Sequence, residues 1–199
     1  MEDTATDRRD PYEIALLRGG PRAAVTVAVV DLYLRGAVDA GPPGTVRATR
    51  TVPAAPVPPL AEAVRLACRD EPLSPRKLAR HTGVRLAVSL LRIPLAEAGL
   101  LRYPLLGPTR AARRTVRSLQ ERHPLPGSRR GLPDADKLLA VALHDVAALR
   151  VLLPRFALRA GLTERVEVAD KGMLRHSPRG GSGGGGVYYC GGGGGGGSD

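Results

Sequence analysis

Proline and glycine together make up more than a fifth of this chain, and the glycines are concentrated near its C-terminal end. The 199 residues include 18 prolines and 25 glycines, and thirteen of those glycines lie between residues 180 and 199. Residues 1–179 therefore have an ordinary glycine content, and with 43% hydrophobic residues in the whole chain they can bury the core of one domain or of two small ones. The composition thus separates a globular body from a glycine-rich tail.

A helix is predicted to begin at Asp10 and to end at the pair Gly19-Gly20. The Asp10 side chain can accept hydrogen bonds from the free amides of the first turn, and Pro11 has no N–H to leave unsatisfied. Glu13 completes a capping box. The glycine pair supplies the left-handed residue that helix C-termini favour.

A second helix, of roughly residues 21–35, is predicted to lead into a two-stranded ribbon. Apolar residues recur through it at helical spacing. In residues 45–50, Thr and Val alternate with Arg, which is typical of a strand with one wet face, and the turn at 41–44 brings residues 37–39 beside it. A helix followed by a short ribbon is the layout of a winged helix.

Residues 60–123 repeat this plan after a stiff, proline-rich linker at 51–59. Helices are predicted over residues 60–69, from Ser74 onward, and over residues 84–98, before the start of another ribbon. This order resembles a bacterial helix-turn-helix followed by its wing.

Two residues are predicted to shape the longer helix of that half. Gly83 is expected to make the sharp turn that precedes the helix, and Pro94 is expected to kink or break it. Beyond it, Thr109 is the predicted N-cap of a basic helix that reaches His123, and Asp134 is the predicted N-cap of a further helix.

The fold class expected from these patterns is mainly α with short β ribbons (α+β), built from two winged-helix-like halves and C-terminal helices. The predicted organisation is a polar leader (1–9), a first winged-helix-like half (10–50), a proline-rich linker (51–59), a second winged-helix-like half with a basic helix (60–123), a linker (124–133), a C-terminal helical segment (134–176) and a disordered glycine-rich tail (177–199).

The net charge of +11 and the sequence pI near 10.7 permit binding to nucleic acid or to an anionic membrane surface. A compositional origin is favoured, because the basic residues are 27 Arg against 3 Lys, and Arg, Ala, Gly and Pro share GC-rich codons. Charge alone therefore does not assign a partner.

Six arginines are the candidate nucleic-acid contacts. Arg85 and Arg92 lie on the outward stripe of the 84–98 helix, where they could reach bases in a major groove. The others share a face of the basic helix and could track phosphates: Arg110, Arg113, Arg114 and Arg117. This arrangement would make the chain a winged-helix-like DNA-binding regulator.

The 84–98 helix is apolar on nearly all sides, which favours packing against protein over reading of DNA. The leading hypothesis is therefore a non-enzymatic helical interaction module, whose partner is another protein. The four histidines match no metal-ligand spacing, and no catalytic, cofactor-binding or metal site is predicted. Cys68 is expected to be a small buried residue.

No signal peptide or transmembrane span is predicted, since residues 1–10 are polar and acidic and the longest apolar stretch, 23–34, contains Thr26 and Asp31. We expect a cytoplasmic, reduced protein.

The residues from Asp10 to Arg22, DPYEIALLRGGPR, resemble the opening motif of an uncharacterised, mainly actinobacterial family whose members often end in glycine/cysteine-rich tails. Residues 35–38 (RGAV) and 139–144 (LAVALH) agree with it as well. Many relatives carry transmembrane helices, so the resemblance implies peripheral membrane association. This chain departs from the family in lacking apolar spans and in having Cys190 as its single tail cysteine. The resemblance implies no catalytic residues.

Overall fold

The computed structural model describes residues 10–102 and 106–163. The predicted polar leader (1–9), the end of the predicted C-terminal helical segment (164–176) and the predicted disordered tail (177–199) lie outside the described residues. The described part is mainly helical and contains two small antiparallel sheets of two strands each, so the α+β class is confirmed at this level.

The elements follow in this order: α1 (Pro11–Leu34), β1 (Val38–Ala40), β2 (Val46–Ala48), α2 (Pro59–Ala67), α3 (Pro75–Leu78), α4 (Thr82–Glu97), β3 (Leu101–Arg102), β4 (Gly107–Pro108), α5 (Arg110–Arg122), α6 (Asp134–His144), α7 (Val146–Leu152) and α8 (Pro154–Arg159). Strand β1 pairs with β2, and β3 pairs with β4.

Helix α1 has the predicted cap and the predicted interruption. The Asp10 Oδ1 atom accepts a hydrogen bond from the Tyr12 amide at 3.0 Å. At Gly20 the backbone leaves the helical region, with φ 72° and ψ −161°, and Pro21 follows within the next turn. The two predicted helices are therefore the two arms of α1, and they meet at a conformation that is essentially restricted to glycine.

The first ribbon is joined by backbone hydrogen bonds to the start of the second half. Val46 in β2 exchanges two hydrogen bonds of 2.9 Å with Leu73, which lies between α2 and α3. The Ala48 amide also donates to the Cys68 carbonyl at 3.1 Å. These bonds satisfy the outer edge of β2 and fix α2 and α3 against the ribbon.

The prediction that Gly83 makes the turn before α4 was wrong, and Pro94 does not break the helix. The turn before α4 is completed by the amides of Arg80 and His81, which donate to carbonyls of α3, so Gly83 lies inside the first turn of α4. The helix also continues through Pro94 to Glu97. Pro94 removes one N–H hydrogen bond from the helix, and continuing the helix past it allows Leu95 to be buried.

The start of α6 departs from the prediction by one residue. Pro133 is the N-cap of α6, and Asp134 lies in the first helical turn, where its carboxylate complements the helix dipole. Helix α6 ends at His144, and Asp145, with φ 49° and ψ −121°, separates it from α7. Helix α8 begins at Pro154.

The described residues share one hydrophobic core, with α1 at its centre. Fourteen of the 24 residues of α1 are buried, and α1 packs most extensively against α6 and then against α2. Tyr33 of α1 stacks on Phe156 of α8, with 3.7 Å between the ring centroids. The two predicted halves therefore have a common core, and the outer face of α4 lies away from it.

Candidate interaction surfaces

Three large apolar side chains lie side by side on the outer face of α4. Leu86 is 62% exposed, Leu90 54% and Ile93 51%. Their spacing of i, i+4 and i+7 places them on one side of the helix, which we call the apolar stripe. The opposite side of α4 packs into the core through Val84, Val88 and Leu95. Helix α4 is thus apolar on both sides, and only one side is covered by the described residues.

An apolar groove adjoins the stripe. Its cavity is about 240 Å³, and Leu90 belongs to both the stripe and the groove wall. The lining comes from α4, from the residues that begin α2 and from the residues that begin α1: Ala87, Leu90, Leu91, Pro94, Pro58, Pro59, Leu60, Asp10 and Tyr12. The three prolines and the helix ends make this wall stiff. A stiff concave wall beside an exposed helix face can receive side chains of another protein.

A buried hydrogen-bond network fixes the inner wall of the groove. The Tyr12 hydroxyl donates to Oδ2 of Asp31 at 2.6 Å, and Arg35 Nε donates to Oδ1 of the same carboxylate at 2.8 Å. Burial and the hydrogen bond to the carboxylate raise the pKa of Tyr12 far above its usual range. Partial burial raises the pKa of Asp10 at the groove rim. Tyr12 is therefore a neutral donor that holds a rigid position.

The two predicted base-contacting arginines differ in their surroundings. Arg85 is exposed and adjoins the apolar stripe, and Ser89 on the same turn donates its hydroxyl to the Arg85 carbonyl at 3.0 Å. Arg92 is half-buried, and its buried Nε has no hydrogen-bond partner among the described residues. The pair therefore does not form one exposed edge on α4.

The four predicted phosphate-contacting arginines are brought together on α5. The helix begins at its predicted N-cap Thr109, whose Oγ1 accepts from the Ala112 amide at 3.3 Å. Its inner side is buried through Ala112, Val116 and Leu119. The outer side, which we call the arginine face, consists of Arg110, Arg113, Arg114 and Arg117, all exposed.

A fifth arginine, Arg102 of β3, joins the arginine face at its N-terminal end. Together with Arg110 and Arg113 it lines a surface cavity of about 350 Å³, whose remaining lining is Gly107 and Pro108 of β4. Among the described residues, no carboxylate lies within ion-pair distance of Arg102 or of the arginine face. The sequence alone does not reveal Arg102 as part of this site, because only the pairing of β3 with β4 brings it to the start of α5.

Cys68 and His144 are two further titratable residues that lie inside or at the edge of the packed helices. Burial raises the pKa of the Cys68 thiol to about 12, so it stays protonated at neutral pH. The His144 Nε2 atom lies 2.8 Å from the His123 carbonyl oxygen, a contact that ties α6 to the end of α5. Within residues 10–102 and 106–163, no three His, Cys, Asp or Glu residues are grouped as metal ligands would be.

No protein-family model matches the chain, and neither a curated protein nor a solved structure is significantly similar to it. The resemblance of the opening motif to the actinobacterial family stays a prediction. None of the helices in the described part is long and apolar enough to cross a membrane.

Proposed function

We propose that this chain is a non-enzymatic interaction module that docks another protein on the apolar stripe and the adjoining groove. The observation that carries the proposal is the exposure of Leu86, Leu90 and Ile93 on one side of α4. Burial of a leucine or isoleucine side chain contributes roughly 1.5–3 kcal/mol, so a partner that covers three half-exposed side chains gains several kcal/mol. Contiguous apolar surface of this kind marks interaction sites.

The order of the elements supports a winged-helix-like arrangement for the second half. Helices α2, α3 and α4 are followed directly by the β3–β4 ribbon, and α4 occupies the place of a recognition helix. The second arm of α1 and the β1–β2 ribbon support the same proposal for the first half. We propose that α4 has the position of a recognition helix and that it docks a protein instead of DNA.

The alternative, a winged-helix-like DNA-binding regulator, requires side chains on α4 that hydrogen-bond to base edges. Such contacts would have to come from Arg85, Ser89 and Arg92. Arg92 is half-buried, and the Ser89 hydroxyl donates to the Arg85 carbonyl. The exposed centre of α4 offers leucine and isoleucine, which provide no donors or acceptors. These features favour protein docking over readout of DNA.

The proposal is tested by quantitative affinity purification from cells of the source organism. The stripe variant carries Leu86→Ser and Leu90→Ser, and the matched control carries Leu66→Ser and Leu158→Ser, which are 48% and 41% exposed elsewhere. Both variants should keep the melting temperature of the parent, because exposed leucines contribute little to the core.

A specific protein retained by the parent and by the control, and lost from the stripe variant, is the expected result. Identical protein profiles for the parent and the two variants would overturn the proposal.

A further inference from the structure

The strongest concentration of uncompensated charge in the described residues lies on α5, on residues that are not part of the surface to which we assign protein docking. Five arginines from two elements meet there, and none has a carboxylate within ion-pair distance among the described residues. Elsewhere, Arg18, Arg35 and Arg65 each pair with a carboxylate. We propose that Arg102 and the arginine face bind the phosphate backbone of nucleic acid without reading its sequence.

The placement of these arginines is unfavourable for the helix on its own. Arg110 and Arg113 lie in or next to the first turn of α5, which has no acidic residue. The positive end of the helix dipole disfavours cations there, and Arg102 adds a further positive charge to the same cavity. An anion that enters the cavity relieves both effects. The phosphate group fits best, because guanidinium groups hydrogen-bond to its oxygens in bidentate geometry.

The arginine face matches a chain of phosphates in length. From Arg110 to Arg117 the helix rises about 10 Å, at roughly 1.5 Å per residue. Duplex DNA carries one negative charge per about 1.7 Å of its axis, so a row of this length faces several phosphates. Glu121 lies one turn further along the same side of α5 but is not paired with Arg117.

Two features favour nucleic acid over a membrane and over sequence-specific binding. The apolar side of α5 is buried in the core through Val116 and Leu119, so α5 cannot insert it into a lipid interface. No large apolar side chain of α5 is exposed. The arginine face also has no Asn, Gln or aromatic residue to read or stack on bases.

The test uses the full chain and a fluorescently labelled 20-base-pair duplex, titrated by anisotropy at several salt concentrations between about 0.05 and 0.2 M, a range over which phosphate contacts weaken strongly. The face variant carries Arg110→Gln, Arg113→Gln, Arg114→Gln and Arg117→Gln. The matched control carries Arg47→Gln, Arg69→Gln, Arg150→Gln and Arg155→Gln, four exposed arginines that have no ion pair with a described carboxylate. Both variants lose the same net charge. Circular dichroism verifies that each remains folded.

The face variant should bind the duplex at least tenfold more weakly than the parent at the lowest salt concentration. Its plot of log affinity against log salt should be shallower by about 3–4, since each lost phosphate contact removes roughly 0.9 from the slope. The single variant Arg102→Gln should reduce the slope by about one. The control should remain within threefold of the parent, and two duplexes of unrelated sequence should bind equally.

Four outcomes would overturn the proposal. An equal loss of duplex affinity in the face variant and in the control would show that only net charge matters. Undetectable duplex binding by the parent would show that the chain does not bind nucleic acid. A strong preference between the two sequences would contradict backbone binding. Tight binding to vesicles of phosphatidylcholine and phosphatidylserine, with duplex binding much weaker, would assign the arginine face to membranes.

Discussion

Arg18 and Asp145 form an ion pair, with 3.0 Å between Nη2 of the arginine and Oδ2 of the aspartate. Arg18 Nε also donates to the Ala142 carbonyl at 2.8 Å, and Gln120 Nε2 donates to the Leu143 carbonyl at 2.7 Å. Side chains of α1 and α5 thus satisfy carbonyls that α6 leaves free where it ends at Asp145. The interruption between α6 and α7 is held by two other helices.

Replacing Arg18 with Met should lower the free energy of unfolding by about 1–3 kcal/mol, because the Ala142 carbonyl and the Asp145 carboxylate would both lose a partner. Urea denaturation measures the change, and Arg22→Met, at an exposed position on the same helix, is the control. If the two variants were equally stable, the pair with Asp145 would contribute nothing to the fold.

Replacing Gly20 with Val should destabilise the chain by about 1–3 kcal/mol. Its φ of 72° and ψ of −161° lie in a region that side chains with a Cβ avoid. No atom lies within 4 Å of an added Cβ at Gly20, so the effect isolates backbone strain. Gly127→Val is the control, since that site is equally open and its φ is not positive. Thermal unfolding monitored by circular dichroism compares them, and equal melting temperatures would contradict a strained Gly20.

The helix ends were predictable because their chemistry is local. Asp10, Ser74 and Thr109 each accept a hydrogen bond from an amide two or three residues later, and Gly20 provides a conformation that few other residues reach. A short stretch of sequence contains all that these features need. The predictions for Gly83 and Asp134 were wrong because both helices begin earlier in the sequence. His81 is the N-cap of α4 and Pro133 is the N-cap of α6, so Gly83 and Asp134 lie inside the first helical turns.

The candidate surfaces could not be predicted in full, because they depend on which side of a helix the rest of the chain covers. A helix that is apolar all round does not reveal that Val88 is buried and Leu90 exposed. Likewise, Arg102 joins α5 only through the pairing of two strands of two residues each. The arginines of α5 were predicted to share a face because i, i+3, i+4 and i+7 positions do so in any helix.

The Cys68 thiol should be inert in the folded chain. In a Cys190→Ser background, Cys68 is the single cysteine. Burial raises its pKa to about 12 from an ordinary value of 9.0, so at pH 8 it should react with a thiol reagent only after denaturant is added. Rapid reaction under native conditions would contradict its burial.

The same shift predicts a pH dependence of stability. Because the folded-state pKa is the higher one, the unfolded chain loses its proton first, and this contribution to stability is complete below pH 9 and is lost as the pH rises towards 12. Above pH 9 the decrease should approach about 1.4 kcal/mol per pH unit for this group. Urea denaturation of the parent and of a Cys68→Ala variant between pH 8 and 10 isolates the contribution of this thiol to the free energy of unfolding. Parallel curves for the two variants would contradict the shift.

Arg85 and Arg92 give a further prediction, because they separate readout of DNA from protein docking. If α4 read bases, replacing either arginine with Ala would relax the sequence preference, by about 1–3 kcal/mol for each lost base contact. We expect no such preference to exist, so competition with a random duplex library at about 0.15 M salt, where the Debye length is about 8 Å, should enrich no motif. Enrichment of one motif that is lost on replacing Arg85 or Arg92 would establish DNA readout by α4.

Arg92 also allows a prediction about stability. The variant Arg92→Met should be as stable as the parent or more stable, because it removes a buried Nε that has no partner among the described residues. The Arg85→Met variant, at an exposed position, is its control. A large loss of stability in Arg92→Met would show that this arginine holds the fold.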